Sequence, residues 1–271
     1  YNKPYKILLI FFILLSPPMT PEIWLTPAHI KAYFGILSFV LIFQDFTVLE
    51  NFKKKLYRSI IIFSGLSSIY ASVIAPIFLL KFILEKKKDN FINFLCSLFP
   101  LIINIFIFIF SSNNADRFSF NINKIESFSY NILVRPFFGS SIPKFFHNKF
   151  NLNDNETILI ALILVIVFSL FFAFKIFQKK KDNITILIIA SFILHSGFVL
   201  VGSLYPDFVG GRYAVIPGIV LLTLFIRLFQ LENNYLFKYI FGFFILISLT
   251  IGIFEFKYFT PLPNMTECTN L

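Results

Sequence analysis

An all-α, polytopic bundle of transmembrane helices, with about seven or eight spans, is the fold class this sequence predicts. Three observations carry it. Hydrophobic residues make up 57% of the chain and charged residues only 14%, against ~45–50% and ~25% in soluble domains. The apolar residues gather into runs close to the ~20 residues that a bilayer-crossing helix needs. Lysines cluster at the ends of those runs, as they do in cytoplasmic loops. With 41 Phe among 271 residues and a mean hydropathy of +0.80, the apolar surface exceeds what one water-soluble core can hide, so lipid must serve as solvent.

Residues 5–16 are apolar but short for a span. They have the length of a signal-peptide core, yet Pro17-Pro18 follows where a small-residue cleavage site would stand. The chain opens on Tyr1 inside a basic, apolar lead, which reads as a fragment of a longer protein, with N-terminal spans and an acidic catalytic residue falling upstream. Residues 17–31 form a Pro-rich loop holding Glu22, His29 and the single tryptophan, Trp24, which suits headgroup level. Residues 32–49 are expected as the next span, ending at the basic stretch Asn51–Arg58.

The segment 59–84 admits two readings. Its flanks, Lys53–Arg58 and Glu85–Asp89, are both basic and both call for the cytoplasmic side. Gly65, a run of serines and Pro76 interrupt the apolar pattern between them. A re-entrant pair of half-helices satisfies both flanks if protein covers the broken backbone; one ordinary span leaves a basic flank outside. Beyond it, residues 91–111 form a span and Ser112–Glu156 the longest polar segment, expected on the outer face against the membrane. Spans at 157–177, 184–204, 213–229 and 236–254 follow, with a tail from Glu255. With that threading, sixteen of the 24 Lys and Arg residues fall inside, in the clusters at 3–6, 53–58, 81–88 and 175–181 and at Arg227 and Lys238. The bias places the Pro-rich loop, the long polar segment and the 205–213 loop outside. No repeat and no linker divides the chain, so residues 1–271 read as a single integral membrane domain.

A net charge of +10 would point a soluble protein toward nucleic acid; beside apolar spans it marks topology, and the bilayer is the expected partner. Cys96 and Cys268 indicate neither a disulfide framework nor a metal site. No phosphate-binding glycine loop, nucleophile elbow or zinc-protease motif occurs, and the three histidines are far apart. What remains is a short list of polar residues. His195 lies within an apolar span, where a polar side chain is costly and functional by default, or else bonds a serine such as Ser191. Asp207 and Arg212 bracket Gly210-Gly211: either a salt-bridged turn or a loop whose guanidinium forks onto a phosphate. Tyr213 is an interfacial anchor. Glu22, the one acid of the first outer loop, can serve as a base toward a hydroxyl or be a solvated loop acid. Asp116-Arg117 ranks beside it, with an interfacial ion pair as the plainer reading. Arg135 lies in the same outer segment.

Pro21-Glu22 before an aromatic span, the Gly65-Leu66-Ser67 to Pro76-Ile77-Phe78 segment, and Gly211-Arg212-Tyr213-Ala214 entering an apolar helix resemble polytopic bacterial envelope proteins related to GT-C class glycosyltransferases. The resemblance covers most of the chain as a pattern of spans and loops. It implies an inner-membrane protein of envelope glycan assembly that takes a sugar from a polyprenyl-phosphate donor on the outer face. Glu22 or Asp116 would then be the catalytic acid-base group. Arg212, with Arg117 or Arg135, would hold the lipid phosphate, with Asp207 orienting Arg212. The usual acidic pair of the first outer loop is not seen here. The resemblance names no certain cofactor and leaves room for a divalent metal. An O-antigen polymerase-like protein is a near variant. A transporter or lipid-linked-glycan flippase, which broken helices and a buried His195 would suit, and a non-catalytic membrane protein stand as alternatives.

Overall fold

The computed structural model describes residues 30–110, 123–139, 154–177, 182–202 and 214–257. Every regular element among them is helical and none is a strand. In chain order they are α1 (Ile30–Ile42), α2 (Asn51–Ser67), α3 (Ile69–Ser72), α4 (Ala75–Glu85), α5 (Lys88–Phe110), α6 (Asn123–Ser129), α7 (Arg135–Phe138), α8 (Asp154–Phe177), α9 (Asn183–Gly202), α10 (Val215–Leu231) and α11 (Tyr235–Lys257). Three are long and apolar enough to cross a membrane: Lys88–Phe110, Asn183–Val201 and Tyr235–Phe254. Shorter apolar helices occupy much of the rest.

α10 is the axis. Its residues from Val215 to Ile226 are all buried, and α1, α7, α9 and α11 pack around it. α5 and α11 instead turn rows of Ile, Leu and Phe outward, Phe106, Phe110, Phe243 and Leu246 among them. In water such faces would be unstable, whereas against acyl chains they cost nothing.

Packing partners fix which helix ends lie together. Asp89 near the start of α5 bonds Lys54 and Arg58 near the start of α2, while Asn104 further along α5 donates to the Gly65 carbonyl near the end of α2 at 2.9 Å. α2 and α5 therefore run parallel. α4 runs back against α5 to the turn at Lys86–Lys87 that opens it. Ser68 donates to the Lys31 carbonyl at 2.9 Å and Lys81 to the Ile42 carbonyl at 2.6 Å, so α1 lies antiparallel to α2. Asp182 and Arg227 join the start of α9 to the last turns of α10. One end of the bundle thus gathers Asp45, Lys53–Arg58, Lys81–Asp89, Asp182 and Arg227. The opposite end gathers Lys31, the Ser68–Ile74 stretch and Ala214.

Two expectations change. The span at 32–49 stops as a helix at Ile42; a turn follows, and Asp45 caps a 3₁₀ turn at Phe46–Val48 by accepting from the Thr47 N–H. Asp45 explains the stop: its carboxylate accepts from the Thr47 N–H and hydroxyl, a local bond that favours a turn over helix interior. The described part of the long polar segment, 123–139, is not an outer loop. It is one helix, α6 to α7 through a π-helical turn at Tyr130–Val134, and Asn131, Ile132, Leu133 and Phe137 are buried. Phe137 rings pack on Phe225 and Phe244, and Ser248 donates to the Pro136 carbonyl at 2.6 Å. Phe137, read as surface adhesion, is interior packing, and Phe128 and Phe138 lie half-buried against the same core.

Candidate functional site at a helix break

The stretch between α2 and α4 is where polar groups enter the interior. Ser68 adopts an extended conformation (φ −146°, ψ 122°), ending α2; α3 lasts one turn, and Pro76 in the first turn of α4 prevents a continuous helix. Side chains from neighbouring helices bond to groups near the break. Asn104 Nδ2 donates to the carbonyls of Gly65 and Pro100, both at 2.9 Å. The Ser38 and Ser64 hydroxyls bond each other at 2.9 Å. Gly65 is required here: a Cβ would stand 2.5 Å from Pro100 Cγ, so only glycine lets α2 and α5 close over the break.

His195, fully buried on α9, faces this region. Its Nδ1 lies 2.8 Å from the Ser191 carbonyl. A carbonyl only accepts, so Nδ1 carries the proton in the neutral ring and Nε2 is left as an acceptor. Nε2 makes no hydrogen bond among the described residues; the backbone of Tyr70, in the break, is the other polar group that bears on the ring. The Tyr70 ring meets Phe198 of α9 edge-on, tying the break to α9 on both sides of the histidine. The plainer reading of His195, a bond to Ser191, is what the structure has, although the acceptor is the backbone one turn back and not a hydroxyl.

The other polar centre is the basic end. Asp89 accepts from Arg58 Nη2 at 2.5 Å and from Lys54 Nζ at 3.0 Å, and Arg58 Nε donates to Asn93. Lys87 bonds Asp45 at 3.0 Å. The Thr47 hydroxyl and N–H, with the Lys87 ammonium, bring the Asp45 carboxyl down to about 2, and Asp45 in return raises the Lys87 ammonium above its ordinary value. Arg227 grips Asp182 at 2.9 Å. Burial works against the Asp182 carboxylate, yet bonds from Thr185 and Arg227 outweigh it and hold the group below its usual range. Lys81, only 4% exposed, donates to the carbonyls of Ile42 and Gln44 at 2.6 and 2.8 Å. It thereby caps the C-terminal end of α1 from a neighbouring helix.

Of the residues singled out from the sequence, Glu22, Asp116, Arg117, Asp207, Arg212 and Tyr213 lie outside the described residues. Arg135 is described. It begins α7, donates to Asn131 Oδ1 at 3.1 Å, and lies two residues from Phe137, which packs at the level of Phe225. Arg135 is therefore half-buried in a helix packed on α10 and α11, and not in a loop. Sequence reasoning passed over Lys81, Asp89 and Asp182. The lysine was counted only as a charge; the two acids each follow a run of lysines in sequence, yet they pair with cations from other helices, Asp89 with Lys54 and Arg58 and Asp182 with Arg227, which sequence spacing does not signal. No group of three or more metal-ligating side chains occurs among the described residues.

These features define a class: an all-helical membrane protein whose interior is interrupted by a polar helix break and whose charges gather at one end. No family model matches the chain, and neither a curated protein nor a solved structure matches it.

Proposed function

We propose that the chain is a multi-pass protein of the bacterial inner (plasma) membrane, resembling GT-C class glycosyltransferases and acting in cell-envelope glycan assembly. The lysine-rich end faces the cytoplasm, and α2 and α4 dip in from that face and return to it. On the outer face a sugar passes from a lipid-phosphate donor to an acceptor hydroxyl. Glu22 or Asp116 takes the hydroxyl proton as its oxygen attacks the anomeric carbon; the bond from that carbon to the phosphate oxygen breaks. Arg212, oriented by Asp207 and assisted by Arg117, stabilises the departing lipid phosphate, and Tyr213 anchors the loop. One observation supports this reading: α10, whose cap Ala214 directly follows Gly210-Gly211-Arg212-Tyr213 in sequence, begins at the end opposite the basic clusters. Replacing Arg212 by Ala is expected to cut glycan synthesis by about 10²–10³-fold at unchanged protein level. Wild-type glycan in that variant refutes the role.

The helix break beside the buried His195 favours a second reading, a transporter or lipid-linked-glycan flippase, because discontinuous helices form substrate and ion sites in secondary transporters. His195→Phe leaves a transferase active and impairs a proton-coupled transporter. Uptake into sealed vesicles, with glycan analysis of the same cells, separates the two.

A further inference from the structure

The three consecutive lysines that open α2 do not share one role. Successive helical residues are spaced ~100° apart. That rotation carries Lys54 to the side of Arg58 and Ile61, where it bonds Asp89, and sets Lys53 and Lys55 on either flank of Phe52 and Leu56. Phe52 is 74% exposed and Leu56 46%; Val48, just ahead of the helix, is 77% exposed. An apolar stripe edged by lysines results. Across the end of α4, Lys86 and Lys88 are exposed on either side of Lys87.

The local charge does not balance. Eight cations (Lys53, Lys54, Lys55, Arg58, Lys81, Lys86, Lys87, Lys88) face four acids (Asp45, Glu50, Glu85, Asp89). All four acids are engaged, by Lys53, by Lys54 with Arg58, and by Lys87. Lys81 is spent on backbone carbonyls. Lys55, Lys86 and Lys88 are left exposed, with no ion pair among the described residues.

We propose that this end is a docking platform for the phosphate headgroups of anionic phospholipid. Val48, Phe52 and Leu56 enter the acyl boundary while Lys55, Lys86 and Lys88 bind headgroup oxygens. The apolar stripe beside Lys55 is what selects a lipid over a soluble anion, because a free phosphate gains nothing from it. The platform stands independently of the sugar-transfer reading.

The test uses the full chain in nanodiscs of phosphatidylcholine, with and without phosphatidylglycerol, scored by thermal midpoint and by phosphatidylglycerol retained in native mass spectrometry. Each lysine at an anionic surface is worth about fivefold in affinity. The Lys55→Gln/Lys86→Gln/Lys88→Gln protein should therefore lose phosphatidylglycerol retention by on the order of a hundredfold, and Lys55→Gln alone by about fivefold. The corresponding triple arginine variant should retain it. For the wild type, high salt should abolish the midpoint rise, a readout that survives even if the triple variant does not fold. Equal responses of glutamine variant and wild type, or no response of the wild type, overturn the proposal. So does an equal midpoint rise with soluble glycerol phosphate, which would make the site one for free anions.

Discussion

Removing the Asp89 carboxylate by Asp89→Ala tests how the basic end is held together. The group accepts two charge-assisted bonds, at 2.5 Å from Arg58 and 3.0 Å from Lys54. Its side chain is 20% exposed and theirs 19% and 18%. Fully exposed pairs contribute about 0–1 kcal/mol, whereas stripping one partner from a buried pair costs about 3–5 kcal/mol. Exposure near one fifth lies closer to the buried limit, and two cations lose their counter-ion at once, so about 3 kcal/mol is expected. Asp89→Asn, which keeps an acceptor, should lose about half of that. Because the cost comes from stranded cations, adding Lys54→Met and Arg58→Met to Asp89→Ala should recover most of it. With Lys54→Met/Arg58→Met alone as the remaining corner, reversible unfolding in mixed micelles, followed by circular dichroism, gives the four free energies of the cycle. A loss under about 0.5 kcal/mol in Asp89→Ala, or no recovery in the combined variant, would refute the assignment of Asp89 as the tie between α2 and α5.

Gly65→Ala puts a methyl 2.5 Å from Pro100 Cγ and 2.8 Å from its Cβ; the rigid ring cannot yield, so α2 and α5 part at a cost of about 2 kcal/mol, read in the same unfolding assay. Lys86 caps α4 in the left-handed region (φ 53°, ψ 27°), so Lys86→Gly in a zwitterionic detergent should raise stability by about 1 kcal/mol. A loss there would contradict that backbone conformation. For Asp45 the folded carboxyl titrates at about 2 against an ordinary 3.8. A lowered folded value stabilises fully above the unfolded one and fades as pH falls from about 4 toward 2. Asp45→Asn should flatten the stability–pH curve in that window, by at most about 1 kcal/mol because the side chain is 45% exposed.

The helical class and the ends of the bundle were legible because composition and lysine placement answer to the solvent, and a bilayer imposes that pattern on every segment. The interruption between Gly65 and Pro76 was legible as two alternatives; the paired basic flanks, Lys53–Arg58 and Glu85–Asp89, do lie at one end, as the half-helix reading requires. What could not be read was which polar residues turn inward. Asn131 and Arg135 occur in a segment with the charge and length of a surface loop, and only Phe137 meeting Phe225 and Phe244 shows it to be interior. Lys81 looks in sequence like any positive residue near a cytoplasmic turn; its role depends on α1 stopping at Ile42, forty residues away in the chain's own course. The candidate acids and Arg212 fall in segments the sequence leads one to expect as loops, where periodicity carries no information about neighbours.

The way α5 covers the α2–α4 break bears on how the protein enters a bilayer. α2 opens on a charged half and α4 has 11 residues, so neither can be handed to lipid as a finished span. Until α5 is synthesised, the Gly65 carbonyl near the end of α2 lacks the Asn104 amide that donates to it and the Pro100 ring that covers it. On the multi-pass reading proposed above, residues 51–110 would leave the insertion machinery as one cargo, sheltered until the last of the three helices is complete. A nascent chain arrested before Pro100 should remain bound at the translocon, while one released after Phe110 partitions freely.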